Sequence, residues 1–283
     1  MQHVRVAAIQ MGVGNSHEDD IARAAELIAE AAAKRARLVV LPERFCQWAS
    51  DSTIATMAEE PSGTLEQWQA NRAREHGIYL VGGSVLERAT DAPRPYNASL
   101  LFSPDGTLLG RYRKIHLFDA VVDGVTHGES DTISAGDEPV CVDTELATIG
   151  MTICYDLRFP ELFRTLSDRG MQIATLPAGF TRVTGQAHWE VLVRARAIEN
   201  QCFVIAAGMY GRTSPARDFF GHSMIVDPWG KILAELAEGE GVVTADLSFE
   251  QLQGVRTRLP ALQNRRLGSV AVAKAGREGA VPL

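Results

Sequence analysis

Val4-Arg5-Val6-Ala7-Ala8-Ile9-Gln10 is an apolar run of strand length, and the residues after it decide the class of fold. Asn15 or Ser16 can cap a helix whose Ile21, Ala24, Ala25, Ile28 and Ala32 recur on one face, and the chain then enters Leu38-Val39-Val40-Leu41. Strand, helix, strand is an α/β unit. Leu65 to His76 reads as a second helix and Ile78 to Val85 as a further strand, whose Gly82-Gly83 pair marks close packing or a bend. Hairpins come next. Asn97 to Phe102 and Leu108 to Lys114 flank Ser103-Pro104-Asp105-Gly106; Ser223 to Val226 and Lys231 to Leu236 flank Asp227-Pro228-Trp229-Gly230. Ala147 to Ile153, Gln172 to Leu176 and Cys202 to Ala207 read as buried strands, with helices near Pro160 to Arg169 and His188 to Asn200. Crossovers mixed with hairpins predict two packed sheets with helices outside. No linker or internal repeat interrupts the chain, so one domain is expected.

The 283 residues are 46% hydrophobic and 22% charged, enough apolar material for a substantial core. A net charge of −7 draws the chain to neither nucleic acid nor an anionic membrane, so neither is an expected partner. No apolar run approaches the roughly 18 to 20 residues that span a bilayer, and Met1 to Met11 lacks the pattern of a signal peptide. A cytoplasmic protein is expected. Four cysteines with no C-x-x-C pair fit a reducing compartment, and no pair of histidines has metal spacing with a third ligand nearby. Gly12-Val13-Gly14 lacks the third glycine of a dinucleotide loop, and neither a G-x-S-x-G elbow nor a phosphate-binding P-loop occurs. No cofactor or metal is expected. Residues 271–283, rich in Ala and Gly, read as a tail beyond a domain of residues 1–270.

Three runs stop at a reactive side chain where the chain turns: Leu38-Val39-Val40-Leu41-Pro42-Glu43, Gly110-Arg111-Tyr112-Arg113-Lys114 and Ile149-Gly150-Met151-Thr152-Ile153-Cys154. A strand end holds a side chain in place while the adjoining loop leaves room for substrate. A thiol that accepts an acyl group needs a base for its proton and positive charge for the oxyanion. Glu43 can be that base, and the Lys114 ammonium with the Tyr155 backbone N–H can hold the oxyanion. Each residue also has an ordinary reading: a cysteine ending a strand is commonly a small buried hydrophobe, and a lone Glu or Lys a solvated charge. Strand alternation places Tyr112 and Lys114 opposite Arg111 and Arg113, consistent with an inward Lys114. Cys141 and Cys202 read as core. Cys46, three residues after Glu43, reads as structural, with a place beside the same cavity as the alternative. Arg158 is either a surface-turn arginine or a bidentate ligand for a carboxylate. His116, His188 and His222 read as structural hydrogen-bonding groups.

The flanking residues sharpen this. Leu41-Pro42-Glu43, Tyr112-Arg113-Lys114-Ile115-His116-Leu117 and Cys154-Tyr155-Asp156-Leu157-Arg158-Phe159-Pro160-Glu161 resemble the carbon–nitrogen hydrolase (nitrilase) superfamily over about Val4 to Arg266. Thr184-Gly185-Gln186-Ala187-His188-Trp189-Glu190, Arg194 to Gln201 and Gly221 to Gly230 resemble the branch of omega-amidases and deaminated-glutathione amidases. Leu259-Pro260 followed by Gln263-Asn264-Arg265-Arg266 is closer to the deaminated-glutathione side. The resemblance implies a four-layer αββα sandwich that pairs into a homodimer or higher homo-oligomer. It also implies hydrolysis of a linear carboxamide on a small carboxylate-bearing acid, with ammonia released from a thioester-forming cysteine. Its catalytic residues fall on Glu43, Lys114 and Cys154, with Glu129 of Gly128-Glu129-Ser130 as a second glutamate orienting Lys114. Tyr155, Arg158, Phe180 and Thr181 are the expected substrate contacts. Ala178-Gly179 departs from the Ser-Ala common between Pro and Phe in this branch, which alters the expected pocket wall.

Overall fold

The computed structural model describes residues 3–48, 51–88, 91–214 and 217–267; the expected tail lies outside them. The first half of the chain runs β1 (His3–Gln10), α1 (His17–Ala33), β2 (Leu38–Val40), α2 (Asp51–Met57), α3 (Thr64–His76), β3 (Tyr79–Val81), β4 (Val85–Glu87), β5 (Tyr96–Phe102) and β6 (Leu108–Arg113). After a hairpin of β7 (Asp119–Val122) and β8 (Val125–Gly128) come β9 (Val140–Asp143), β10 (Thr148–Met151), α4 (Pro160–Asp168), β11 (Ile173–Ala178), α5 (Arg182–Asn200) and β12 (Phe203–Gly208). The chain continues through a hairpin of β13 (Tyr210–Ser214) and β14 (Arg217–Phe220), then β15 (Ser223–Val226), β16 (Ile232–Leu236), β17 (Gly241–Ser248) and α6 (Phe249–Arg258).

One sheet has the order β17-β1-β2-β3-β5-β4 with β6 paired to β5, the other β16-β15-β12-β11-β10-β9. β1 to β3 run parallel to one another, as do β10 to β12, and antiparallel strands flank both sets. β1 shows why the strands stack in layers. Val4, Val6 and Ala8 point into the core shared with the second sheet, whereas Ala7 and Ile9 point into a second core beneath α1 and α3. With α4 and α5 against the other sheet, the result is the expected αββα sandwich. Among the described residues no helix is long and apolar enough to cross a membrane.

Ser16 caps α1, its side chain accepting from the Asp19 N–H, and Ala24, Leu27, Ile28 and Ala31 are its buried apolar residues. Ile21, Ala25 and Ala32 of the expected face are only half-buried. The strand expected over Ile78 to Val85 is two strands, β3 and β4, broken at Gly82-Gly83. Gly83 has φ +66°, and a Cβ there would lie 2.0 Å from the Pro42 carbonyl oxygen, so the break lets the chain pass the Pro42-Glu43 corner. Helix α5 begins six residues before the expected His188, and Gly185 within it packs closely: a Cβ there would lie 2.3 Å from the Phe220 ring.

Candidate active site

The three strand ends converge. Glu43 and Lys114 follow β2 and β6 of one sheet, Cys154 follows β10 of the other, and all three are buried around one cavity of about 490 Å³. Lys114 Nζ donates to Glu43 Oε1 at 3.0 Å and to Glu129 Oε1 and Oε2 at 3.0 and 2.8 Å. Glu43 Oε2 accepts the Gly179 N–H at 2.8 Å and is part of a carboxylate within hydrogen-bond reach of the Cys154 thiol. Glu129, in a short turn after β8, is fixed by the Phe118 N–H at 2.7 Å. As alternation predicted, Tyr112 and Lys114 are buried, while Arg111 and Arg113 pair with Glu87 on the other face.

Burial alone would raise the Glu43 carboxyl. The Lys114 ammonium, the Cys154 thiol and the Gly179 N–H outweigh it and hold Glu43 below its ordinary value. Burial would likewise strip the proton from Lys114, but Glu129 and Glu43 overcome it and raise the ammonium. The Cys154 thiol is pushed well up, first by burial and then by Glu43, against the opposing pull of Lys114. These directions set a carboxylate held ionised beside a thiol held protonated.

Cys154 has φ +47°, a conformation that costs a non-glycine residue energy and lifts the side chain off the strand path. Asp156, fully buried, supports this corner. Its carboxylate accepts from the Ile153 N–H at 2.9 Å, the Tyr112 hydroxyl at 2.7 Å and the His116 N–H at 3.1 Å. His116 Nδ1 lies 2.8 Å from the same carboxylate and its ring stacks on Phe159 at 3.7 Å. One buried acid thus ties the Lys114 segment to the Cys154 turn. Asn97, also fully buried, does the same for the carboxylates: its amide donates to Glu43 Oε1 at 2.9 Å and Glu129 Oε1 at 3.4 Å, and its backbone carbonyl accepts the Lys114 N–H at 2.9 Å. Sequence reasoning missed both. An amide inside an apolar strand, and a carboxylate two residues after Cys154, were the signals that could have found them.

The expected substrate contacts divide. Thr181 lines the cavity beside Trp48, Ile54, Phe118, His127 and Phe219. The Tyr155 ring packs against Phe118 and Phe159 at 5.0 and 5.3 Å, which leaves its backbone N–H as the group it brings to the start of the 154–158 turn. Arg158 and Phe180 stand outside the lining, contrary to expectation. The Arg158 guanidinium lies over the Phe180 and Tyr155 rings at 5.0 and 5.7 Å and bonds His188 Nδ1 at 3.2 Å, while Phe180 packs on Trp189. The cation rests against these aromatic faces. Instead Arg44, which sequence reasoning passed over, lines it. Cys46 is buried but not in the lining, Cys202 is buried, and Cys141 is half-buried on β9. His222 bonds Glu235, in keeping with a structural role.

The family described as Carbon-nitrogen hydrolase matches residues 5–257. The chain is 40% identical to the omega-amidase NIT2 of Homo sapiens over 279 residues, 96% of this chain and 98% of the relative. Among solved structures, it is similar to the C. elegans NitFhit protein with a TM-score of 0.85 and 37% identity, covering 94% of this chain and 66% of that one. Saccharomyces cerevisiae Nit3, a member of branch 10 of the nitrilase superfamily, aligns with a TM-score of 0.85 and 35% identity, covering 94% and 97%.

Proposed function

The chain belongs to the carbon–nitrogen hydrolase family and is an amide-hydrolysing enzyme; from that premise we propose that it cleaves the amide of a small carboxylate-bearing acid through a thioester on Cys154. The observation that carries this reading is that one carboxylate, Glu43, bonds the Lys114 ammonium while reaching the Cys154 thiol. Cys154 Sγ attacks the amide carbon as Glu43 takes the thiol proton, and Lys114 with the Tyr155 N–H holds the oxyanion. The C–N bond breaks as Glu43 passes the proton to the leaving nitrogen. Water then attacks the thioester, Glu43 takes its proton, and that proton returns to the departing sulfur. Amide and water give acid and amine, with no cofactor in the balance. Glu129 and Asn97 position Lys114 and Glu43.

Deaminated glutathione is the substrate favoured by residues 259–266 and by the cavity. At about 490 Å³, the cavity falls within the range that encloses drug-sized ligands. This acid carries about twice the non-hydrogen atoms of 2-oxoglutaramate and uses more of that room. The second reading, hydrolysis of omega-amides such as 2-oxoglutaramate, is favoured by the relatives named omega-amidase. The two share a five-carbon 2-oxo acyl half and differ in the leaving group. A primary omega-amide releases ammonia; deaminated glutathione releases the amine of cysteinylglycine, so the ammonia expected from sequence attaches to the second reading alone. Parallel assays of 2-oxo acid formation from both compounds test this. A higher kcat/KM on deaminated glutathione is expected, preference for 2-oxoglutaramate moves the assignment to the second reading, and turnover of neither overturns both. Val191, Ile198 and Trp229, exposed on α5 and the neighbouring β15–β16 turn, support a homodimer, which light scattering would read as twice the chain mass.

A further inference from the structure

His127, which the sequence motifs did not single out, stands in the cavity wall. Four other histidines are taken up elsewhere: His17 bonds the Cys46 carbonyl, His116 the Asp156 carboxylate, His188 the Arg158 guanidinium and His222 the Glu235 carboxylate. Among the described residues His127 has a ring contact with Phe118, at 4.8 Å, and no hydrogen bond to either ring nitrogen. Burial lowers it below its ordinary value, so near neutral pH the ring carries one donor and one acceptor. A half-buried polar group left unpaired in the wall of a catalytic cavity calls for a ligand. Its backbone holds it in place. Position 127 pairs with Ala120 in the β7–β8 hairpin, and that hairpin is fastened to Glu129, which accepts the Phe118 N–H at its carboxylate and gives its own N–H to the Phe118 carbonyl at 3.3 Å.

We infer that His127 is the specificity-determining residue for the leaving group, its imidazole pairing with the peptide unit of the amine that departs. This rests on the deaminated-glutathione reading above. Depth within the cavity places it there. Glu43, Lys114 and Cys154 are 2, 2 and 8% exposed, whereas His127 is half-buried and Thr126 beside it exposed, so the catalytic groups form the floor and the end of β8 the mouth. The amine leaves while the acyl half is still bonded to Cys154, and water attacks the thioester afterwards. An amine on the floor side would be shut in behind the acyl group; on the mouth side it has a way out. The polar groups agree. A peptide unit offers one N–H and one carbonyl, which match the acceptor and donor of a neutral imidazole, whereas a carboxylate offers acceptors alone. A primary amide brings no peptide unit on its leaving side, so His127 tells the two candidate substrates apart.

The test compares kcat/KM for deaminated glutathione, 2-oxoglutaramate and the N-methyl derivative of 2-oxoglutaramate, whose leaving amine has no peptide unit. Wild type is expected to prefer deaminated glutathione over the N-methyl amide by about 10-fold or more, the scale of one hydrogen bond whose partner would otherwise go unpaired. His127→Phe keeps a ring on Phe118 and removes both ring nitrogens. It is expected to cut the ratio of deaminated glutathione to 2-oxoglutaramate about 10-fold, mainly through KM, and His127→Gln, which restores a donor and an acceptor, to recover part of that ratio. Equal wild-type efficiency on deaminated glutathione and the N-methyl amide, or an unchanged ratio in folded His127→Phe, overturns the inference and leaves the amidase reading standing. Cleavage of 2-oxoglutaramate with none of deaminated glutathione overturns it together with the first substrate reading, and turnover of neither overturns the amidase reading as well. Should His127→Phe fail to fold by circular dichroism, the wild-type ratio decides.

Discussion

Cys154 and Cys202 are both buried thiols of the same sheet, yet they stand at its opposite ends. Cys202 immediately precedes β12, at the end where the parallel strands begin; Cys154 follows β10, past the end where they finish. Burial raises both, Cys202 to about 12 and Cys154 well above its ordinary value. Company separates them. Cys202 Sγ donates to the Arg196 carbonyl at 3.9 Å and feels Arg256, Glu199 and Arg164 through charge alone, whereas the Cys154 thiol is in hydrogen-bond reach of the Glu43 carboxylate with the Lys114 ammonium beside it. A buried thiol is inert until a base shares its pocket, and in this fold the carboxyl ends of the strands are where two sheets can deliver one.

The comparison can be broken most directly by substitution. Cys154→Ala is expected to reduce amide hydrolysis by about 10⁴-fold or more with the circular dichroism spectrum unchanged, and Cys202→Ala to leave it within about twofold. Comparable losses in the two variants would erase the distinction. Glu43→Gln is expected to lower turnover by about 10² to 10⁴-fold. Intact-mass spectrometry with substrate then shows whether acylation or deacylation has stopped, and wild-type turnover in that variant would remove Glu43 from the chemistry.

Alkylation sharpens it further. In the native protein iodoacetamide is expected to label Cys154 about 100-fold faster than Cys202 or Cys46, because Cys154 lines the cavity with Glu43 in hydrogen-bond reach while the other two are buried outside that lining. Peptide mapping that finds equal labelling would argue against an activated thiol. The smallest effect belongs to Asn97→Ala, for which kcat is expected to fall about 10-fold. Loss of its amide donor also raises the Glu43 carboxyl towards its ordinary value, so the acid limb of the kcat/KM profile moves up in pH. In wild type that limb should lie below pH 4.5, since the folded value of Glu43 is depressed. By the same sign, stability contributed by Glu43 is present above the unfolded carboxylate value and is lost as pH falls through the lower folded one. An Asn97→Ala profile superimposable on wild type would leave Asn97 with a packing role only.

Much of the architecture was legible because it is written in short-range pattern. The Ser16 cap, the two Pro-containing hairpin turns and the strand ends at Glu43, Lys114 and Cys154 rest on neighbours within a few residues, and all are found. The misreadings also have local causes. Gly82-Gly83 sits inside an apolar run that reads as one strand, and only the Pro42 carbonyl pressing on Gly83 shows why it must be two. Helix α5 starts at Arg182 rather than near His188, and Gly185 inside its first turns lies close against the Phe220 ring.

By itself the sequence determined which residues have the chemistry for acyl transfer, and that each ends a strand, because residue type and strand periodicity are local properties. Tertiary structure decided their company. Glu43 and Lys114, 71 residues apart, share a hydrogen bond because β2 and β6 belong to one sheet, and Cys154 joins them because the second sheet packs on the first. The same packing turned Arg158 onto aromatic rings and Arg44 into the cavity. An arginine's charge is fixed by its composition, whereas the surface it faces is set by contacts far along the chain that no local pattern records.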